Sequence, residues 1–170
     1  MLFLKEPRST CNAFKENGTV NYEVLESLIE EQIAAGTDCI VAMGTTGESA
    51  TTSEEEHIQV IRFVCEVVNG RIPVVAEQVP TAHRQQLSFL LAEEAGADGV
   101  LLVSPYYNKA TQNGLIAHYT TIAEAVDIPL IMYNVPSVPD ARQTGTIAHL
   151  VKDVDNIAGV KEASGDIGNV

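Results

Sequence analysis

Five short apolar runs constrain the fold of this chain more than any other feature. They are Cys39-Ile-Val-Ala-Met43, Ile72-Pro-Val-Val-Ala76, Val100-Leu-Leu-Val103, Pro129-Leu-Ile-Met-Tyr133 and Ile157-Ala-Gly-Val-Lys161. Each is too short for a helix and apolar at successive positions, as strands buried on both faces of a parallel sheet are. Amphipathic patterns fall between and beside them, over residues 21–35, 54–69, 83–95, 112–126 and 145–153. The first sets Val24, Leu25, Leu28, Ile29 and Ile33 on one face, with Gly36 as a stop signal. The second opens on Ser53 with Glu56 three positions on, a capping box, and ends at Gly70. Its apolar stripe is Ile58, Ile61, Cys65 and Val68.

Such βα alternation predicts an α/β fold with right-handed crossovers. The strands recur about every 30 residues, and eight such units would make a TIM-type (β/α)8 barrel of roughly 240 residues. With 170 residues, the expectation is a single α/β domain over 1–170, a barrel truncated after its sixth strand. An open, doubly wound, flavodoxin-like sheet is the alternative. A first strand belongs near residues 3–13, where Lys5-Glu6-Pro7-Arg8-Ser9-Thr10 is poor material for a buried strand. Either that strand is degenerate or the segment has another role.

Charge narrows the partners. Ten Lys and Arg against 23 Asp and Glu give a net charge of -13, which argues against nucleic acid and anionic membrane surfaces. The excess acid lies mostly on helical segments, as a solvated face would. No apolar run reaches the roughly 20 residues of a membrane span, and Met1–Leu4 is too short for a signal-peptide core. Cys11, Cys39 and Cys65 are odd in number and widely spaced, and read as reduced, mostly structural thiols of a cytoplasmic protein. His57, His83, His118 and His149 lack ligand spacing, so no metal is expected. No nucleotide or flavin motif is visible, so no cofactor is expected.

Residues able to carry chemistry sit where strands end, the face on which parallel α/β folds build active sites. Lys161 closes an apolar strand, where burial would disfavour the ammonium and free the amine to form a Schiff base with a ketone. A lysine reaching from a strand end to solvent is the plain alternative. Tyr133 is either a proton shuttle for carbinolamine formation or a core-edge tyrosine. The Gly44-Thr45-Thr46-Gly47 loop precedes a capped helix, and its N–H groups and hydroxyls could hold a carboxylate. It matches neither a Walker loop nor a dinucleotide fingerprint. Glu48 is either a supporting residue of the site or a support for the helix start.

Four blocks carry a resemblance: Gly44-Thr45-Thr46-Gly47-Glu48-Ser49, Pro105-Tyr106-Tyr107-Asn108-Lys109, Tyr133-Asn134-Val135-Pro136-Ser137 and Gly159-Val160-Lys161-Glu162-Ala163-Ser164-Gly165. In this order they resemble the dihydrodipicolinate synthases, within the pyruvate-dependent class I aldolases that include N-acetylneuraminate lyase. The likeness runs from about Phe14 to Val170. It implies an eight-fold barrel in which Lys161 forms the Schiff base with pyruvate. It further implies Tyr133 as general acid/base, Thr45 linking Tyr133 to Tyr107, and Thr46 and Gly47 with Thr45 at the pyruvate carboxylate. The implied second substrate is aspartate semialdehyde, in lysine and diaminopimelate biosynthesis. The implied assembly is a homo-oligomer, with Tyr107 lent across a dimer interface and Tyr106 packed there.

The chain departs from that pattern at several places. Val138 stands where the family has the arginine that grips the second carboxylate, and Arg142, four residues on, is expected to substitute only if the Pro139-Asp140 loop is rebuilt. Glu77-Gln78-Val79 replaces Gly-Thr-Gly, which puts a carboxylate near the barrel mouth. Without strands seven and eight, sheet edges and apolar faces would be exposed. Self-association, closure by a separate fragment, or rearrangement into the open sheet is then expected. Two functional readings follow. One is a pyruvate-Schiff-base lyase, with a sugar-acid aldolase as its variant because Val138 removes the semialdehyde anchor. The other is a non-catalytic α/β domain of the same ancestry.

Overall fold

The computed structural model describes residues 7–78, 85–105, 110–135 and 144–163. Among these, six strands alternate with five helices: β1 (Pro7–Ser9), α1 (Tyr22–Ala34), β2 (Cys39–Ala42), α2 (Glu54–Val68), β3 (Val74–Gln78), α3 (Gln85–Glu94), β4 (Gly99–Val103), α4 (Gln112–Ala123), β5 (Leu130–Asn134), α5 (Thr144–Asp153) and β6 (Ile157–Glu162). Two short 3-10 turns, Thr45–Gly47 and Ser49–Thr51, lie between β2 and α2. The strands follow in chain order, the pattern of a βα barrel carried as far as its sixth strand. Two compact units are distinguished. The first holds the described residues up to Glu77 together with Leu91–Gly99, and the second Gln78, the start of α3 and the described residues from Val100 onward.

In the first unit β2 pairs in parallel with β1 and with β3, Ile40 facing Arg8 on one side and Val74 on the other. That excludes the flavodoxin-like alternative, in which the first strand lies between the second and third. The reason lies in the helices. α1 and α2 pack on each other, with the Tyr22 and Phe63 rings 4.8 Å apart and edge-on, so both cover one face and each crossover steps the same way. Leu25, Ile29, Ile40, Met43, Ile61 and Val64 are fully buried, each worth roughly 1.5–3 kcal/mol against exposure. Val24 is 42% exposed, outside the stripe that periodicity assigned to it.

β1 is the degenerate first strand. Pro7 and Arg8 are exposed and Ser9 half-buried, and pairing to β2 continues through Thr10 N–H, which donates to the Val41 carbonyl at 3.1 Å. A proline that cannot donate is tolerated at such a margin. β3 begins two residues later than its apolar run suggests and takes in Glu77 and Gln78, each 3% exposed. Proline supplies the reason for the late start: Pro73 still offers its carbonyl to Ile40 N–H, at 3.0 Å, but no N–H of its own. α2 is capped as its sequence indicates, the Ser53 hydroxyl accepting from Glu56 N–H at 3.2 Å.

The second unit repeats the plan. β5 pairs in parallel with β4 and β6, and α4 is tied to α5 by the Thr146 hydroxyl donating to Gln112 Oε1 at 2.6 Å. Leu102, Leu115, Leu130 and Leu150 are buried to within about 1%. β5 alternates: Leu130, Met132 and Asn134 are buried, Ile131 and Tyr133 half-buried. Among the described residues no helix is long and apolar enough to cross a membrane.

Candidate active site

In the second unit, parallel register sets Tyr133 beside Lys161 and Asn134 beside Glu162. Side chains alternate along a strand, so the first pair shares one face and the second pair the opposite face. The Lys161 Nζ lies 4.0 Å from the centroid of the Tyr133 ring. The face of a phenol ring thus lies against the nitrogen. Both side chains are half-buried. An amine and a phenol on adjacent strands are groups able to add to a carbonyl and to move the proton that addition releases.

The opposite face is anchored by polar groups. Ser104, at the end of β4, donates its N–H and its hydroxyl to the Tyr133 carbonyl at 3.2 and 3.3 Å. Its hydroxyl also meets the Tyr119 hydroxyl at 2.8 Å. Burial pushes the Tyr119 phenol up to about 12, the bond to Ser104 opposing that shift in part. Asn134, 3% exposed, donates to Glu162 Oε2 at 2.7 Å. Neither Asn134 nor Glu162 stands out in the sequence beyond belonging to the motif blocks. Their only sequence signal is that each follows a candidate site residue, and that says nothing of the bond between them.

In the first unit the Gly-Thr-Thr-Gly loop is a 3-10 turn, so its exposed N–H groups belong to that turn and not to α2, which starts seven residues after it. The Gly47 and Glu48 N–H groups close the turn on the Gly44 and Thr45 carbonyls at 2.9 and 3.1 Å. Those of Thr45 and Thr46, its first residues, have no acceptor within the turn by geometry. Thr45 and Thr46 are exposed and Gly47 is buried. Met43 and Glu48, which flank the turn, both have φ of 56°, a left-handed conformation that costs a side-chain-bearing residue energy and persists only where its surroundings enforce it. Part of that enforcement is Asn12, whose side-chain amide donates to the Gly47 carbonyl at 2.6 Å.

Glu77 is pressed against the start of this loop: a Cβ built on Gly44 would stand 2.8 Å from its Oε2. The carboxylate that the sequence put near the barrel mouth is therefore buried against Gly44. The Glu77 carbonyl bonds the His57 Nε2 at 3.2 Å, and burial holds that imidazole below the ordinary histidine range. Of the remaining candidates, Tyr107 and Arg142 lie outside the described residues, as do Tyr106 and Val138. Among the described residues no three His, Cys, Asp or Glu side chains gather as a metal site would require.

Comparison with known proteins gives one consistent answer. The model of the dihydrodipicolinate synthetase family matches residues 8–170. The 4-hydroxy-tetrahydrodipicolinate synthase of Lachnoclostridium phytofermentans is 52% identical over 161 residues, 92% of this chain and 54% of that protein. The enzyme of the same name from a Thermoanaerobacter species is 52% identical over 160 residues, 92% of this chain and 53% of its own length. Among solved structures, a chloride-inhibited dihydrodipicolinate synthase from Acinetobacter baumannii, complexed with pyruvate, superposes with a TM-score of 0.91 at 42% identity. That match covers 98% of this chain and 57% of the other. The chain thus spans about half the length of the curated relatives it matches.

Proposed function

Because the chain belongs to the dihydrodipicolinate synthetase family, we propose that it carries the pyruvate-activating half of a class I aldolase-type lyase. Lys161 Nζ adds to the pyruvate ketone carbon, the carbinolamine loses water, and the resulting imine draws a proton off the methyl carbon to give an enamine. The enamine carbon then attacks the aldehyde carbon of aspartate semialdehyde, whose oxygen takes up a proton, and the iminium is restored. The amino group of the semialdehyde then adds to the iminium carbon and expels the Lys161 amine, which closes the ring of the product. Tyr133 moves the protons of carbinolamine formation and breakdown, with Thr45 connecting it to Tyr107. Thr45, Thr46 and Gly47 take the pyruvate carboxylate on the turn N–H groups and hydroxyls, and Arg142 takes the carboxylate of the second substrate. We place the protein in the cytoplasm, acting as a homo-oligomer in lysine and diaminopimelate biosynthesis.

The observation that carries this reading is the Lys161 amine set over the Tyr133 ring at 4.0 Å, in register on adjacent strands. Incubation with pyruvate and borohydride, followed by intact mass and peptide mapping, tests it. A stoichiometric reduced adduct on Lys161, lost in Lys161→Ala, is the expected result. A folded sample that forms no adduct overturns the reading.

A further inference from the structure

Two strands can be correctly chosen and still be set one residue out of step. In a parallel pair such a slip turns every side chain to the other face. β5 and β6 are a pair in which this matters. Their register shifts between Leu130 and Ile131, where Leu130 faces Ile157 but Ile131 faces Gly159. β6 is also less enclosed than its neighbours, half-buried at every position after Ile157, so packing alone grips it weakly. Whatever pins the far end of this pair decides whether Lys161 shares a face with Tyr133.

The geometry points to the half-buried Asn134–Glu162 hydrogen bond as that pin, which makes the two residues a positioning pair for Lys161; the inference rests on the Schiff-base reading above. Asn134 and Glu162 are register partners immediately after Tyr133 and Lys161. Their side chains meet at 2.7 Å, beside the last backbone rung, Ala163 N–H to the Asn134 carbonyl at 3.0 Å. The bond has a direction. An ionised carboxylate only accepts, so the amide nitrogen must face Glu162 and Asn134 Oδ1 must face away. Oδ1 is buried and has no hydrogen-bond partner among the described residues. Asn134 also lines a cavity of about 20 Å³ with Ser104, Met132, Thr146 and Val160. Moving β6 by one residue would bring Lys161 or Ala163 opposite Asn134 and strand its amide in this interior, which is costly for a buried donor.

Trapping kinetics on the full chain separate this role from a merely structural one. In Asn134→Ala and Glu162→Ala the limiting rate of pyruvate trapping falls about ten-fold or more, as misplacement of a reacting group predicts, while the pyruvate concentration for half-maximal rate holds. Glu162→Gln, whose Oε1 accepts the same bond, stays near the parent rate. Glu162→Met, similar in length but unable to accept, follows the alanine variants and serves if those fail to fold. Should the parent itself give no adduct, the Schiff-base reading is overturned, and the pin is read without pyruvate by reductive methylation with formaldehyde and cyanoborohydride. Half-buried Lys161 is then methylated faster, relative to exposed Lys152, in Glu162→Met and at the parent ratio in Glu162→Gln. Folded variants with parent trapping rates or parent methylation ratios overturn the inference, as does a Glu162→Gln variant that loses as much as Glu162→Met.

Discussion

Lys161 and Tyr133 are 28 residues apart in the chain yet face one another because β5 and β6 hold them in register, with the amine 4.0 Å from the ring centroid. Contact with the ring and chemistry at its hydroxyl are separable. Tyr133→Phe keeps the surface beneath the amine, so the chain folds as before, but it removes the hydroxyl proposed to move the proton. Trapping of pyruvate then slows by about 10²-fold or more, the usual range for a positioned acid–base group, while the melting temperature stays close to the parent value.

Gly44 and Glu77 form a second testable pair. An alanine methyl at 44 would meet the buried Glu77 carboxylate at 2.8 Å and the Ser9 hydroxyl at 3.4 Å. Gly44→Ala is expected to cost about 1–3 kcal/mol, typical of overpacking. Glu77→Gly in the same chain should recover most of that loss. Urea denaturation of the four chains in the cycle measures the coupling, and additive losses would show that the carboxylate is free to step aside.

Thiol labelling at neutral pH should stop after one of the three cysteines. Cys11 is exposed, Cys39 buried and Cys65 half-buried. Burial raises the Cys39 thiol to about 11 and the Cys65 thiol to about 12, so neither carries much of the reactive thiolate. Peptide mapping after alkylation of the native chain should find label on Cys11, and on all three only in denaturant.

Acid should weaken the fold through two histidines. Burial lowers both His57 and His118 below the ordinary value of 6.5. The unfolded chain therefore binds more protons as pH falls through the ordinary histidine range, and the stability these groups contribute is full above it and is lost below. Melting temperatures should fall between about pH 7.5 and about pH 5, the range around the ordinary histidine value, and fall less in His118→Phe. An equal fall in that variant would assign the acid loss to other groups.

The tyrosines should not titrate together. With Tyr119 held up to about 12 by burial, absorbance titration should show one phenol ionising last. Tyr119→Phe should remove that late phase and cost about 1 kcal/mol for its bond to Ser104.

How far the sequence carries can be judged residue by residue. β2 and β4 are buried at every position and legible because full burial leaves no choice of composition, while β5 and β6 are legible from their apolar runs although both are in part only half-buried. β1 is not, since Pro7-Arg8-Ser9 becomes a strand only by borrowing the edge of β2. The end of β3 is hidden for the opposite reason: Glu77 and Gln78 look like loop residues but are buried. At the site, Lys161 and Tyr133 stand out because each is a reactive group ending an apolar strand. The Asn134–Glu162 bond is invisible beforehand, because it depends on register, which is a property of two strands together. That the loop ahead of α2 is a 3-10 turn of its own is likewise hidden, since the left-handed residues that flank it, Met43 and Glu48, are not glycines.

The chain-order arrangement of the strands bears on how the molecule is made. Within each unit every strand joins the one that left the ribosome about 30 residues earlier, and none has to wait for a partner from the far end of the chain. Such a topology keeps loop closures short for a parallel sheet, which speeds folding. It also lets assembly keep pace with synthesis from the N-terminus onward. Within each unit the newest strand is then the one still awaiting its next neighbour, so during translation that margin advances with the growing chain.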